Sequence, residues 1–69
     1  NLLNNRVKAR YANHYFEAGK TFAKIDQAEA CKYLNHSFNV WSEMKQNGTL
    51  STFNANRPDE VAKELAVCK

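Results

Sequence analysis

The chain has 69 residues, 43% of them hydrophobic and 25% charged, an ordinary globular composition that argues against a disordered tail. A chain this short forms one domain and buries only roughly 60% of the surface its unfolded form exposes. No apolar run approaches the ~20 residues of a bilayer span, and the N-terminus lacks the charged start and apolar block of a signal peptide. The expectation is a soluble cytoplasmic or nucleoid-associated protein, and the start at Asn1 suits a processed product or a domain of a longer chain.

The net charge of +3 is unevenly spread. Residues 1 to 24 hold Arg6, Lys8, Arg10, Lys20 and Lys24 against Glu17 alone, whereas residues 25 to 69 carry five basic and six acidic groups. That asymmetry favours a polyanion near the first helix and its exit loop, and the plainer alternative is a solvated helix face.

From Leu2 to Ala18 there is no Pro or Gly, and Leu3, Val7, Tyr11, Tyr15 and Ala18 recur at three- or four-residue steps. These form one apolar stripe on a helix, with Arg6, Arg10, Asn13 and Glu17 opposite. Gly19 follows as the expected C-terminal cap. Phe22 to Ile25 is too short to classify by periodicity and reads as a loop or a short strand.

Asp26-Gln27-Ala28-Glu29 has the spacing of a capping box, with Asp26 in place of the usual Ser or Thr. Ala28, Cys31 and Leu34 supply the inward side of a two-turn helix expected to end at Asn35. Ser37 suits the N-cap of a next helix over Phe38 to Asn47, stopped by Gly48, with Trp41 and Met44 inward. Leu50 to Phe53 alternates apolar and polar side chains, and pairs with Phe22 to Ile25 in a minimal two-stranded ribbon. Pro58 suits the first position of a final helix, whose buried side is Val61, Ala62, Leu65 and Cys68. Asp59 and Lys63 form a favourable pair on it. The fold class is therefore mainly α: a small bundle of about four helices in a single domain, 1 to 69.

Glu29-Ala30-Cys31, Leu34-Asn35, Ser37, Trp41, Met44 and Gly48-Thr49-Leu50 resemble the helix-turn-helix of the excisionase and MerR-type DNA-binding families. The match places a helix-turn-helix at 26 to 48. It departs from the family at His36, in place of an apolar turn residue, and in having Lys45 as the sole base of the recognition helix, with no arginine-rich wing after Leu50. The resemblance implies double-stranded DNA as partner and a role in transcription regulation or recombination, the setting being phage-like, with tight binding drawn from a homodimer or a larger parent protein. In such a motif the second helix lies in the major groove. Asn39 and Gln46 would pair with adenine edges, Ser37 would start the helix, Ser42 would serve several bases or a phosphate, Glu43 would accept from cytosine and Phe38 would touch a thymine methyl. Lys45, Lys20, Lys24, Arg6, Arg10 and Arg57 would hold phosphates.

Catalysis is not expected. Cys31 and His36 have no third group to orient a base, Gly19-Lys20-Thr21 lacks the spacing of a P-loop, and His14 beside the apolar stripe reads as structural. No cofactor or metal site is expected, because neither cysteine belongs to a spaced metal-ligand set. Cys31 and Cys68 read as reduced, buried thiols, with a disulfide as the alternative in an oxidising compartment. The second functional reading is a small helical protein-protein interaction or oligomerisation module that uses Tyr11, Tyr15, Phe16, Phe38 and Trp41 as anchors.

Overall fold

The computed structural model describes residues 2 to 68, with side chains from 5 to 68. Three α-helices account for most of it: α1, Leu2–Phe22; α2, Gln27–Gln46; and α3, Arg57–Leu65, preceded by a short 3-10 turn at Thr52–Asn54. The first two lie antiparallel along each other, so that residue pairs whose numbers add to about 50 face one another: Lys8 meets Glu43, Ala12 meets Ser37 and Gly19 meets Leu34. The third packs on α2. Helices of 20 and 21 residues are about 30 Å long at 1.5 Å per residue, which accounts for the 36 Å long axis of the molecule against 18 and 16 Å across.

The seam between α1 and α2 is built from small side chains. Ala12, Gly19, Ala30 and Ser37 are buried where the helices touch, interleaved with Phe16, Leu34, Trp41 and Met44. A methyl group at Gly19 would lie 2.6 Å from both Cγ and a Cδ of Leu34 and 3.3 Å from the carbonyl oxygen of Ala30. Gly19 is thus an interior position of α1, kept free of a side chain by the approach of α2, and not the cap that ends the helix. The chain continues helical to Phe22 and turns through residues 23 to 25.

Asp26 caps α2 as expected, its carboxylate accepting from the backbone N–H groups of Ala28 at 3.1 Å and Glu29 at 3.3 Å. Beyond it the expected break is absent, and α2 runs unbroken through Asn35, His36 and Ser37. The inward residues Ala30, Leu34, Ser37, Trp41 and Met44 recur at steps of four, three, four and three, the interval of one continuous helix face. A turn at 35 to 37 would rotate the second half of that face out of register with the first. Ser37 is no N-cap: it is fully buried, and its hydroxyl donates to the Ala12 carbonyl at 2.6 Å. The helix-turn-helix at 26 to 48 is therefore replaced by a single helix, and the helix count falls from four to three.

Trp41 and Met44 are inward as read, with Trp41 only 1% exposed. The indole N–H of Trp41 is buried without a hydrogen-bond partner. Gly48, at φ 70°, turns the chain in the left-handed region that a glycine enters without a Cβ clash. Among the described residues there is no strand. Phe22 belongs to α1, and Leu50 to Phe53 passes from extended chain into the 3-10 turn, leaving Phe53 exposed. Pro58 and Val61 are buried in α3, Leu65 and Cys68 are partly buried, and Ala62 faces solvent. Arg57 pairs with Glu60 at 3.1 Å, and no Asp59–Lys63 pair forms.

Cys31 and Cys68 are joined in a disulfide with their Cα atoms 5.9 Å apart, correcting the expectation of reduced thiols. The bridge fixes the end of α3 to the first third of α2. Beside it Gln27 donates through its side-chain amide to the Val67 carbonyl at 3.0 Å.

Candidate functional site

The apolar stripe read from the first helix is regular, but it is not the core stripe. The buried positions of α1 are Ala12, Phe16 and Gly19, with Ala9 packed against them. Val7, Tyr11, Tyr15 and Ala18, of the expected stripe, lie roughly a quarter-turn or more to one side, and Leu3 is outside the described side chains. Val7 and Tyr11 are 41% and 57% exposed. The reason is steric: the close seam selects small residues, so the larger side chains next to them in sequence are displaced to its flank.

On that flank they meet aromatic side chains from α2. Tyr15 packs against His36 with ring centroids 4.3 Å apart and stacks with Tyr33 at 5.8 Å. Phe22 stacks with Tyr33 at 5.3 Å, and Tyr11 extends the row from Tyr15 at 6.5 Å. His14 meets Tyr15 edge-on at 6.3 Å. From Tyr11 to Phe22 this row covers about 16 Å of helix axis. A shallow hollow lined by Val7, Arg10, Tyr11 and His14 opens at one end, where Lys8 and Glu43 also form an ion pair at 2.9 Å.

Helical phase puts α3 on the opposite flank. Cys31, which is bridged to the end of α3, lies about 140° around α2 from His36, given 100° per residue. One side of the helical hairpin is thus covered by the chain's own third helix, and the other carries the aromatic row.

The residues expected to contact DNA are not gathered on one face. Ser37 is sealed in the seam, and Phe38 is partly buried against the core. Asn39 and Gln46 are exposed and Ser42 half-exposed on the side of α2 away from α1. Glu43 lies on the aromatic flank, held by Lys8. Arg6 and Arg10 are exposed on α1, Lys45 is exposed near the end of α2, and Lys24 is exposed in the turn after α1. Lys20 pairs with Glu17 at 3.3 Å and sits 4.6 Å from the centroid of the Phe16 ring. Arg57 is engaged by Glu60 on α3. Arg6 and Lys20 are roughly 21 Å apart along α1, and Lys24 lies beyond its end, so the cations form no compact patch.

Comparison with family models, with characterised proteins and with solved structures finds no match to this chain. The resemblance read from Glu29 to Leu50 gains nothing from them. Among the described residues no three His, Cys, Asp or Glu side chains are grouped as a metal site, and no helix is long and apolar enough to cross a membrane.

Two residues of the aromatic row, Tyr33 and His36, were missed by sequence reasoning because the expected turn at Asn35 separated them. Their signal was present. Tyr33, His36 and Val40 recur at helical steps on a continuous α2, in phase with Tyr11, Tyr15 and Phe22 on α1.

Proposed function

We propose that the chain is a helical protein-interaction module whose aromatic flank receives an acidic amphipathic helix of a partner protein. A single observation carries the reading: an apolar stripe with regular helical spacing, Val7, Tyr11, Tyr15 and Ala18, is directed to the side of the core, and its tyrosines are joined by Tyr33 and His36 in one aromatic row. Tyrosines of this kind supply large, stiff contact area and are enriched at binding hot spots. The valley between two antiparallel helices suits a third helix by ridge-into-groove packing. The acidic character of the partner is argued from charge: Lys8 and Arg10 border the exposed end of the row, and Glu43 is the one carboxylate paired there among the described residues.

The reading extends to the compartment. A disulfide joining Cys31 and Cys68 belongs in an oxidising environment, since the cytosol keeps such thiols reduced. DNA binding is the second reading, favoured by the exposure of Arg6, Arg10 and Lys24, none of which has a carboxylate partner among the described residues. Without a separate groove-entering helix it amounts to phosphate contact, which is steeply salt-dependent.

Amide and aromatic chemical-shift mapping separates these readings. Titration with an acidic amphipathic helical peptide is expected to move Val7, Tyr11, His14, Tyr15, Tyr33 and His36 together, and Tyr11→Ala to abolish the effect. Shifts at those residues that depend on the concentration of the chain alone would assign the face to self-association. Saturable shifts of Asn39, Ser42 and Gln46 with duplex DNA, and none with the peptide, would overturn the proposal in favour of DNA.

A further inference from the structure

Two tripeptides in the chain have the form Asn-X-Ser/Thr with X other than Pro: Asn35-His36-Ser37 and Asn47-Gly48-Thr49. This form is the acceptor pattern for N-linked glycosylation, a surface modification of secreted proteins. The fold treats them very differently. Asn35 lies in the middle of α2, and the hydroxyl two residues on is fully buried and bonded to the Ala12 carbonyl. Asn47 is the exposed C-cap of α2, and Gly48 turns the chain immediately after it with nothing within 4 Å of the position a Cβ would occupy. Thr49 is partly buried, and its hydroxyl donates to the Met44 carbonyl at 3.2 Å, in the last turn of α2. The amide is thus presented at an exposed turn at 47 to 49 with its hydroxyl partly accessible, whereas at 35 to 37 the hydroxyl is enclosed in the core.

We infer that Asn47 is an N-glycosylation site, and that Asn35 is not. The inference rests on the oxidising compartment proposed above, where bridge formation and this modification occur together. Its co-substrate is an oligosaccharide carried on a lipid diphosphate. The side-chain nitrogen of Asn47 bonds to the anomeric carbon and gives up one proton. The bond from that carbon to the phosphate oxygen breaks, and the lipid diphosphate leaves with the electron pair. The attached sugar extends from the end of the hairpin, roughly 16 Å along the axis from His36.

The test is secretion of the full chain from eukaryotic cells behind a cleavable leader, followed by intact mass and peptide mapping before and after an amidase that releases N-linked sugars. The wild type and Asn35→Gln are expected to lose the mass of one oligosaccharide and to show aspartate at position 47 afterwards, and Asn47→Gln is expected to carry none. Mapping of the wild type needs no variant to fold. An unmodified wild-type chain with its disulfide intact would overturn the site, as would a sugar found on Asn35 alone. A chain recovered with Cys31 and Cys68 both reactive to a thiol reagent would overturn the compartment beneath it instead.

Discussion

The two helix contacts in this protein are held by different means. Where α1 meets α2, small residues let the backbones approach, Phe16, Leu34, Trp41 and Met44 fill the space between, and no covalent bond joins the two helices. Where α3 meets α2, a nine-residue helix offers Val61 as its fully buried apolar side chain, with Pro58 and Leu65 beside it, and a disulfide closes its end. The long contact draws on close packing repeated over many turns. The short one is too small to hold by burial alone, since an isolated helix of this length is marginal in water.

The largest effect should come from removing the covalent tie. By chain entropy, a bridge spanning 37 residues stabilises by about 4 kcal/mol, within the usual range of roughly 2 to 5. Replacing Cys31 and Cys68 together by serine is expected to lower the denaturant midpoint accordingly, and hydrogen exchange should show α3 opening first while α1 and α2 stay protected. If all three helices lost protection at once, the contrast between the contacts would be wrong.

The next test is directed at the seam. Gly19→Ala gains about 1 kcal/mol of helix propensity, yet it must displace Leu34, and overpacking of this kind costs roughly 1 to 3 kcal/mol. A net loss on thermal unfolding is expected, and a gain would mean that Leu34 moves aside freely. Ser37→Ala should cost about 1 kcal/mol, the worth of one buried hydrogen bond, read from urea unfolding at constant m-value. The smallest change belongs to Glu43→Gln. Its ion pair with Lys8 is about half exposed at both ends, and such pairs contribute ~0.2 to 1 kcal/mol that fades with salt, so the variant and the wild type should converge in stability at high ionic strength.

The same contrast explains how much of the molecule was legible in its sequence. The cap at Asp26, the inward Trp41 and Met44, and the helix opened by Pro58 depend on local chemistry and could be read directly. The α1 stripe could not, because large side chains at helical spacing give the stronger core signal, whereas the seam requires Ala12 and Gly19. The break assigned at Asn35 came from residues that tolerate a turn, while the four-three spacing of Ala30, Leu34, Ser37, Trp41 and Met44 ran straight across it. Of the candidate interaction face, Tyr11 and Tyr15 were named from the sequence. Their partners Tyr33 and His36 emerged only when α2 proved continuous. The disulfide is a long-range fact, and a separation of 37 residues gives no sequence clue to which helices will bring its ends together.

The enclosed indole of Trp41 has a practical consequence. As the chain's single tryptophan, with no polar partner for its ring nitrogen, it should fluoresce at the blue end of the tryptophan range and be shielded from aqueous quenchers. A red shift would then mark water entering between the helices, so the protein carries its own optical gauge of whether the centre is open or shut.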